Sequence, residues 1–237
     1  MVIDRLQAFL GLPVKFNDID VHSPRLTDIA NISYMEYLIK LQFCLFSKEK
    51  ILLDLFQIGE DEYLQIKDTS DFDVLTDHPQ LQAYISDALS FFAKDSVVFD
   101  SKSQSFKANG LEFINKNNYI HFISIMKELN AVSDESTGVK KKTAKAKSFQ
   151  DRIDFFKKKS QKKEDALEIK DILSILCSAN GNGIDIFNVG NLTIYQMYEQ
   201  FERLNIKESF DRLLPVWANG HLSGDTKLPE WIKRTKL

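Results

Sequence analysis

The sequence predicts a mainly α fold with short β-hairpins, organised as two helical parts joined by a linker and a basic helix. Three observations carry that expectation. Glycine (9) and proline (5) are scarce among the 237 residues, which disfavours a turn-rich β architecture. Apolar residues recur at i, i+3 and i+4 over several stretches, the spacing of one helix face. Period-two alternation is confined to short runs around turn-prone residues. The chain is 43% hydrophobic and 27% charged, an ordinary globular composition. Its 18 phenylalanines predict an aromatic-rich core.

The N-terminal part, residues 1–130, opens with a short amphipathic segment carrying Ile3, Leu6, Phe9 and Leu10. Val14 and Phe16, then Ile19 and Val21, alternate around Asn17-Asp18 and predict a β-hairpin. Ser23-Pro24 reads as a helix start, with Ser23 as cap and Pro24 in the first turn. The stripe Leu26, Ala30, Tyr34, Leu38, Leu41 and Leu45 predicts one helix of about five turns. A second helix is expected over Glu49 to Gln57. The polar stretch ending at Pro79 reads as a solvated loop with Asp77 as a cap. A helix then carries Leu81, Ile85, Ala88, Leu89 and Phe92. Val97 to Phe99 against Ser105 to Ala108 predicts a second hairpin. Asn115 is the expected cap of a helix through Tyr119, Ile123, Met126 and Leu129.

Residues 131–148 lack periodicity and read as a linker. In the C-terminal part, 149–237, a basic first helix carries Phe149, Ile153 and Phe156 at i, i+4 and i+7. It is expected to lead into a helix with Ala166, Ile169, Leu173 and Leu176. "NGNGIDIFNVGN" interrupts the helical pattern, and Thr193 caps a long helix. A turn region and a short terminal helix are expected to close the chain.

Charge is unevenly distributed. Residues 1–139 hold 12 basic and 21 acidic side chains, 140–163 hold 11 and 2, and 164–237 hold 8 and 11. The lysine-rich segment could follow a phosphate backbone or meet a membrane surface. No zinc-finger spacing, aromatic platform motif or helix-turn-helix accompanies it, and its Phe149, Ile153 and Phe156 face suits packing or protein contact. The reading is therefore a solvated connector or partner-binding face.

Catalytic and metal signatures are missing. The histidines His22, His78, His121 and His221 are dispersed, and no HExxH, CxxC, GxSxG or phosphate loop occurs. Asp68, Asp71, Asp73, Asp77 and His78 match no cation-loop spacing. The sequence thus predicts a non-enzyme with no cofactor. Cys44 and Cys177 read as buried free thiols, which fits a reducing compartment. There is no signal-peptide pattern and no apolar run of membrane-spanning length. Trp217 and Trp231 are the only tryptophans. They either anchor the terminal segment or contribute to partner binding.

"VHSPRLTDIANISYMEYLIKLQF", with Pro24, Asp28-Ile29, Tyr34 and Tyr37, resembles the opening of a tail-morphogenesis family of phages of Gram-positive bacteria. The lysine-rich helix, "LEIKDILSILCSANGNGIDIFNVGNLTIYQMYEQFERL" and an ending with Ser223, Gly224 and Trp231 are similar too. The resemblance implies a tail assembly chaperone in the host cytoplasm. Its partners would be the tape-measure protein and the tail-tube protein, with self-association a further option. A structural or scaffold component of the particle, and a nucleic-acid-binding regulator using the lysine helix, are the alternative classes.

Overall fold

The computed structural model describes residues 3–132, 167–179, 181–221 and 228–235. Most of the linker and the lysine-rich segment, including Phe149, Ile153 and Phe156, lie outside the described residues. The fold is mainly α with two small antiparallel sheets.

A short helix α1 (Arg5–Phe9) precedes the first hairpin, β1 (Val14–Phe16) and β2 (Ile19–Val21). Asn17 and Asp18 both have positive φ, 48° and 63°. This is the backbone hand that matches strand twist in a two-residue hairpin. Val14, Phe16, Ile19 and Val21 all point into the core, as their alternation predicts. Of the expected apolar stripe only Ile3 is buried, together with Ala8 of α1, whereas Leu6, Phe9 and Leu10 are exposed.

The single five-turn helix expected from Leu26 to Leu45 is two helices, α2 (Leu26–Ile32) and α3 (Tyr34–Cys44). Ser33 separates them at φ 79°, and its hydroxyl accepts from Glu36 N at 3.3 Å. A cap in mid-stripe thus interrupts a helix whose apolar periodicity runs on uninterrupted. Ser23 does not cap α2 either. Its hydroxyl accepts from Tyr195 N at 3.2 Å, far along the chain.

Nearly every position of α3 from Tyr37 onward is buried, and the helix packs against α2, α6 and α7. Tyr37 donates to Asn130 Oδ1 at 3.1 Å. Lys40 is ion-paired with Asp87 and lies 3.6 Å from Glu36. Its ammonium therefore escapes the cost of unpaired burial.

Lys50–Leu55 form a π-helix where an ordinary helix is expected. Two further helices follow, α4 (Glu60–Ile66), for which no element was expected, and α5 (Asp71–Asp77), which occupies the stretch read as solvated loop. Phe72, Leu75 and Thr76 of α5 are buried. Phe72 stacks on Phe46 at 5.9 Å and lies 5.5 Å from Tyr119. Lys48 fixes the intervening turn. Its ammonium donates to Ile66 O (3.0 Å), Lys67 O (2.7 Å) and Thr69 O, setting its three donors on carbonyls at the end of α4 and in the turn after it.

Helix α6 (Pro79–Ala93) carries the predicted stripe, buried throughout, and is capped by the His78 side chain rather than Asp77. The second sheet has three strands in the order β3 (Val97–Asp100), β4 (Ser105–Ala108) and β5 (Leu111–Asn115). Its third strand was not expected, although Asn109-Gly110 is a hairpin signal and both residues have positive φ. Asn118, not Asn115, is the cap position of α7 (Tyr119–Leu129).

After the undescribed segment come α8 (Ile169–Ser178), a 3-10 turn (Val189–Asn191) and α9 (Ile194–Ala218). Ile172, Leu176, Val189, Ile194, Met197 and Phe201 join the same apolar core as the N-terminal elements. Residues 23–26 and 192–195 form a clasp. Ile194 N donates to Pro24 O and Leu26 N to Leu192 O, both at 2.9 Å, and Arg25 bridges Thr193. The terminal segment 228–235 contains no helix, contrary to expectation. No helix of the described residues is long and apolar enough to cross a membrane.

The clasp sets a steric requirement. A Cβ placed on Gly190 would come within 2.8 Å of Thr27 Cγ2. Gly190→Ala should therefore destabilise the protein by about 1–3 kcal/mol, as overpacking does. Thr27→Ser, which removes that methyl group, should restore most of the loss in a denaturant double-mutant cycle.

Candidate protein-binding surface

The surface is built on α9. Thr193 and Gln196 form a capping box, Thr193 Oγ1 accepting from Gln196 N at 3.2 Å and Gln196 Oε1 accepting from Thr193 N at 2.8 Å. This arrangement satisfies donors that a helix start leaves open. Gln196 Nε2 also donates to Phe9 O at 2.8 Å, docking the end of α1. Ile194, Met197 and Phe201 turn one face of the first half into the core.

A second face, Tyr195, Glu199 and Arg203 at i+4 intervals, receives α1 and the end of the chain. Arg5 Nη2 donates to Thr235 Oγ1 and the Thr235 hydroxyl donates to Glu199 Oε1, each at 2.8 Å. Thr235 and Glu199 are buried, so this charged chain of bonds is strengthened by low local polarity. Burial raises the Tyr195 hydroxyl above its ordinary pKa, with a hydrogen bond from Arg5 opposing the shift. Arg203 Nη1 donates to Lys233 O at 2.8 Å and Trp231 O at 3.3 Å.

Beyond Asn205, no residue of α9 is fully buried. Ile206, Phe210, Leu213 and Trp217 follow at i, i+4, i+7 and i+11, continuing the stripe of Glu199 and Arg203. The first three are half-buried, and Trp217 is 54% exposed. Leu214 and Val216 are exposed beside it. The opposite face carries Lys207–Asp211 and Glu208–Arg212 pairs at 2.6 and 3.5 Å. The hydrogen bond that Lys207 donates to the Asp211 carboxylate raises the Lys207 pKa.

Trp231 is 38% and Ile232 79% exposed. The two tryptophans are not brought together, since the Trp231 backbone sits level with Arg203, roughly 20 Å along the helix from Trp217. Two apolar areas result. One is Leu6 and Phe9 of α1, and the other is Leu214, Val216 and Trp217 near the end of α9. Sequence reasoning missed a third feature, Ile186 and Phe187, which are 78% and 93% exposed. The adjacent bulky pair inside an Asn/Gly-rich loop was the available signal.

The acidic stretch is engaged in structure rather than gathered into a site. Asp73 pairs with Lys116 at 2.5 Å, and Asp71 lies 3.6 Å from Lys48. Among the described residues no group of three His, Cys, Asp or Glu side chains could hold a metal ion. Cys44 is buried, which pushes its thiol pKa well up, while Cys177 is half-buried. Burial and Lys94 together lower the His22 pKa.

Residues 157–236 match the family described as YomV second domain, which is phage-derived. The chain's C-terminal third is similar to a phage protein. The match spans α8, α9 and the returning end of the chain, and with them both tryptophans. No curated protein and no solved structure matches the chain.

Arg203 is the main visible tie on the terminal segment near Trp231. Arg203→Ala should speed amide exchange over residues 231–235 by at least tenfold, leaving the protection of α3 and α7 unchanged. Hydrogen-exchange mass spectrometry reads both quantities, because local opening is separable from global unfolding.

Proposed function

We propose that this chain is a phage tail-morphogenesis protein acting as an assembly chaperone in the host cytoplasm. It binds an apolar stretch of the tape-measure protein and helps recruit tail-tube subunits. The observation that carries the reading is Trp217, held out with Leu214 and Val216 at the tip of a helix whose base is tied into the core. A rigid aromatic anchor on a fixed support loses little freedom on binding, and tryptophan is over-represented among the residues that dominate interfaces. An amphipathic helix in a long phage protein is a partner such a surface suits. The paired charges behind the stripe keep the free protein hydrated. Similarity of residues 157–236 to a phage-derived family supports the setting, and the resemblance of the N-terminal motifs supports the role. Phe149, Ile153 and Phe156 belong to the same proposed partner-binding set, as does Trp231.

Co-expression with a tape-measure protein from the same phage genome tests the proposal. The two proteins should co-purify, and Trp217→Ala should weaken the complex by about 2 kcal/mol, roughly 30-fold, as truncation of an anchor residue does. Trp231→Ala should weaken it as well, with both variants melting like the parent. Mass spectrometry of purified particles should find the tape-measure protein without this chain. Its presence at structural copy number would favour a scaffold or virion component instead.

A further inference from the structure

Helix α3, the π-helix and α6 together present an aromatic shelf. Tyr84 of α6 stacks on Phe43 of α3 at 5.5 Å. Phe56, just after the π-helix, lies 6.0 Å from Tyr84 and 6.5 Å from Phe43. Phe43 is buried, whereas Phe56 is 40% and Tyr84 41% exposed. Ile39, one turn before Phe43, and Leu55, next to Phe56, are exposed as well. Rings in mutual contact and open to water are the mark of a contact surface.

Charge selects what can cover it. Residues 33–93, which build α3 to α6, hold 11 acidic and 4 basic side chains. Two of those cations are used internally. Lys40 pairs with Glu36 and Asp87, Lys48 donates to three carbonyls, and their side chains are only 10% and 6% exposed. Carboxylates remain outward. Asp87, one turn from Tyr84, has a side chain 69% exposed, and Glu60, Asp61 and Glu62 are exposed in the first turn of α4, shortly after Phe56. Exposed rings beside excess negative charge suit a cationic segment with large apolar side chains.

The chain supplies such a segment. Residues 140–163, outside the described residues, hold 11 basic and 2 acidic side chains. Phe149, Ile153 and Phe156 recur there at the spacing of one helix face. Between Val132 and Phe149 lie 16 residues, and between Phe156 and Leu167 lie 10. Such tethers reach at most about 55 and 35 Å, against a radius of gyration of about 17 Å for a chain of this size.

We propose that segment 149–163 docks on the shelf of its own chain. Phe149, Ile153 and Phe156 lie against Phe56 and Tyr84, and the lysines face the carboxylates of α4 and α6. Lysines beside exposed rings add cation–π attraction. A segment tethered at both ends meets the shelf at a roughly millimolar effective concentration, so its own chain outcompetes a second copy. The docking does not rest on the tail-chaperone reading.

Photo-crosslinking of the full chain, with p-benzoylphenylalanine in place of Phe156, tests it. Irradiation should give a crosslinked monomer, and mass spectrometry of its peptides should place the bond within residues 39–62 or 80–87. The yield should be equal at about 0.1 µM and about 10 µM, both far below the effective concentration of the tethered segment. Tyr84→Ser should cut it about fivefold or more, as loss of a contact ring does. So should Glu60→Gln, Asp61→Asn and Glu62→Gln combined, and both proteins should melt like the parent because these positions are exposed. No crosslink, crosslinks between chains, bonds to other elements, or a yield that neither change lowers would each overturn the proposal. Should Tyr84→Ser not fold, Phe56→Ser takes its place with the same expectation.

Discussion

The clasp between residues 23–26 and 192–195 is the constraint on which the C-terminal half of the structure depends. It places Ile194 N on Pro24 O and Tyr195 N on the Ser23 hydroxyl, satisfying donors at the start of α9 that the helix itself cannot. Closing so long a loop costs chain entropy, but that cost grows only slowly with length. The apolar residues that follow, Ile194, Met197 and Phe201, then enter the same core as α3 and α7. Gly190 is required by the closeness of this approach. With the base of α9 held in this way, the direction of its outer half is set, and Trp217 near its end is exposed.

The interior also shows how a protein rich in charge accommodates two lysines. Lys48 caps the end of α4 with three backbone carbonyls, and Lys40 meets two carboxylates from α3 and α6. Each is paired, so neither bears the full desolvation cost. In the core the rings of Phe46, Phe72, Phe106 and Tyr119 meet at 5.5–6.3 Å. The abundance of phenylalanine is thereby used in edge and stacked contacts.

Local signals in the sequence were legible where their partners are also local. The Asn17-Asp18 turn, the Thr193 cap and the stripe of α6 depend on residues within a turn or two, and each formed as expected. Ser33 was not legible, because the stripe across it is unbroken and only its backbone conformation reveals the cap. The helix carrying Phe72 was hidden by four acidic neighbours, whose charges read as solvation while one ring and one leucine point inward. Ser23 looked like a local cap, but its partner lies 172 positions away. Of the candidate surface, Trp217 and Trp231 were found by residue type alone. The exposure of Leu6, Phe9 and Phe187 depends on which face is covered, a property that only the packed chain defines.

The account holds that the base of α9 belongs to the same cooperative unit as the N-terminal helices, while its outer half is an appended support for an exposed surface. Native-state hydrogen exchange measured residue by residue tests this most directly. Amides from Met197 to Leu204 should open only in the global unfolding that exposes α3 and α7. Those from Glu208 to Trp217 should exchange through smaller, local openings. Exchange of residues 197–204 at an opening free energy well below that of α3 would contradict the account, because α9 would then be rooted in a separate unit.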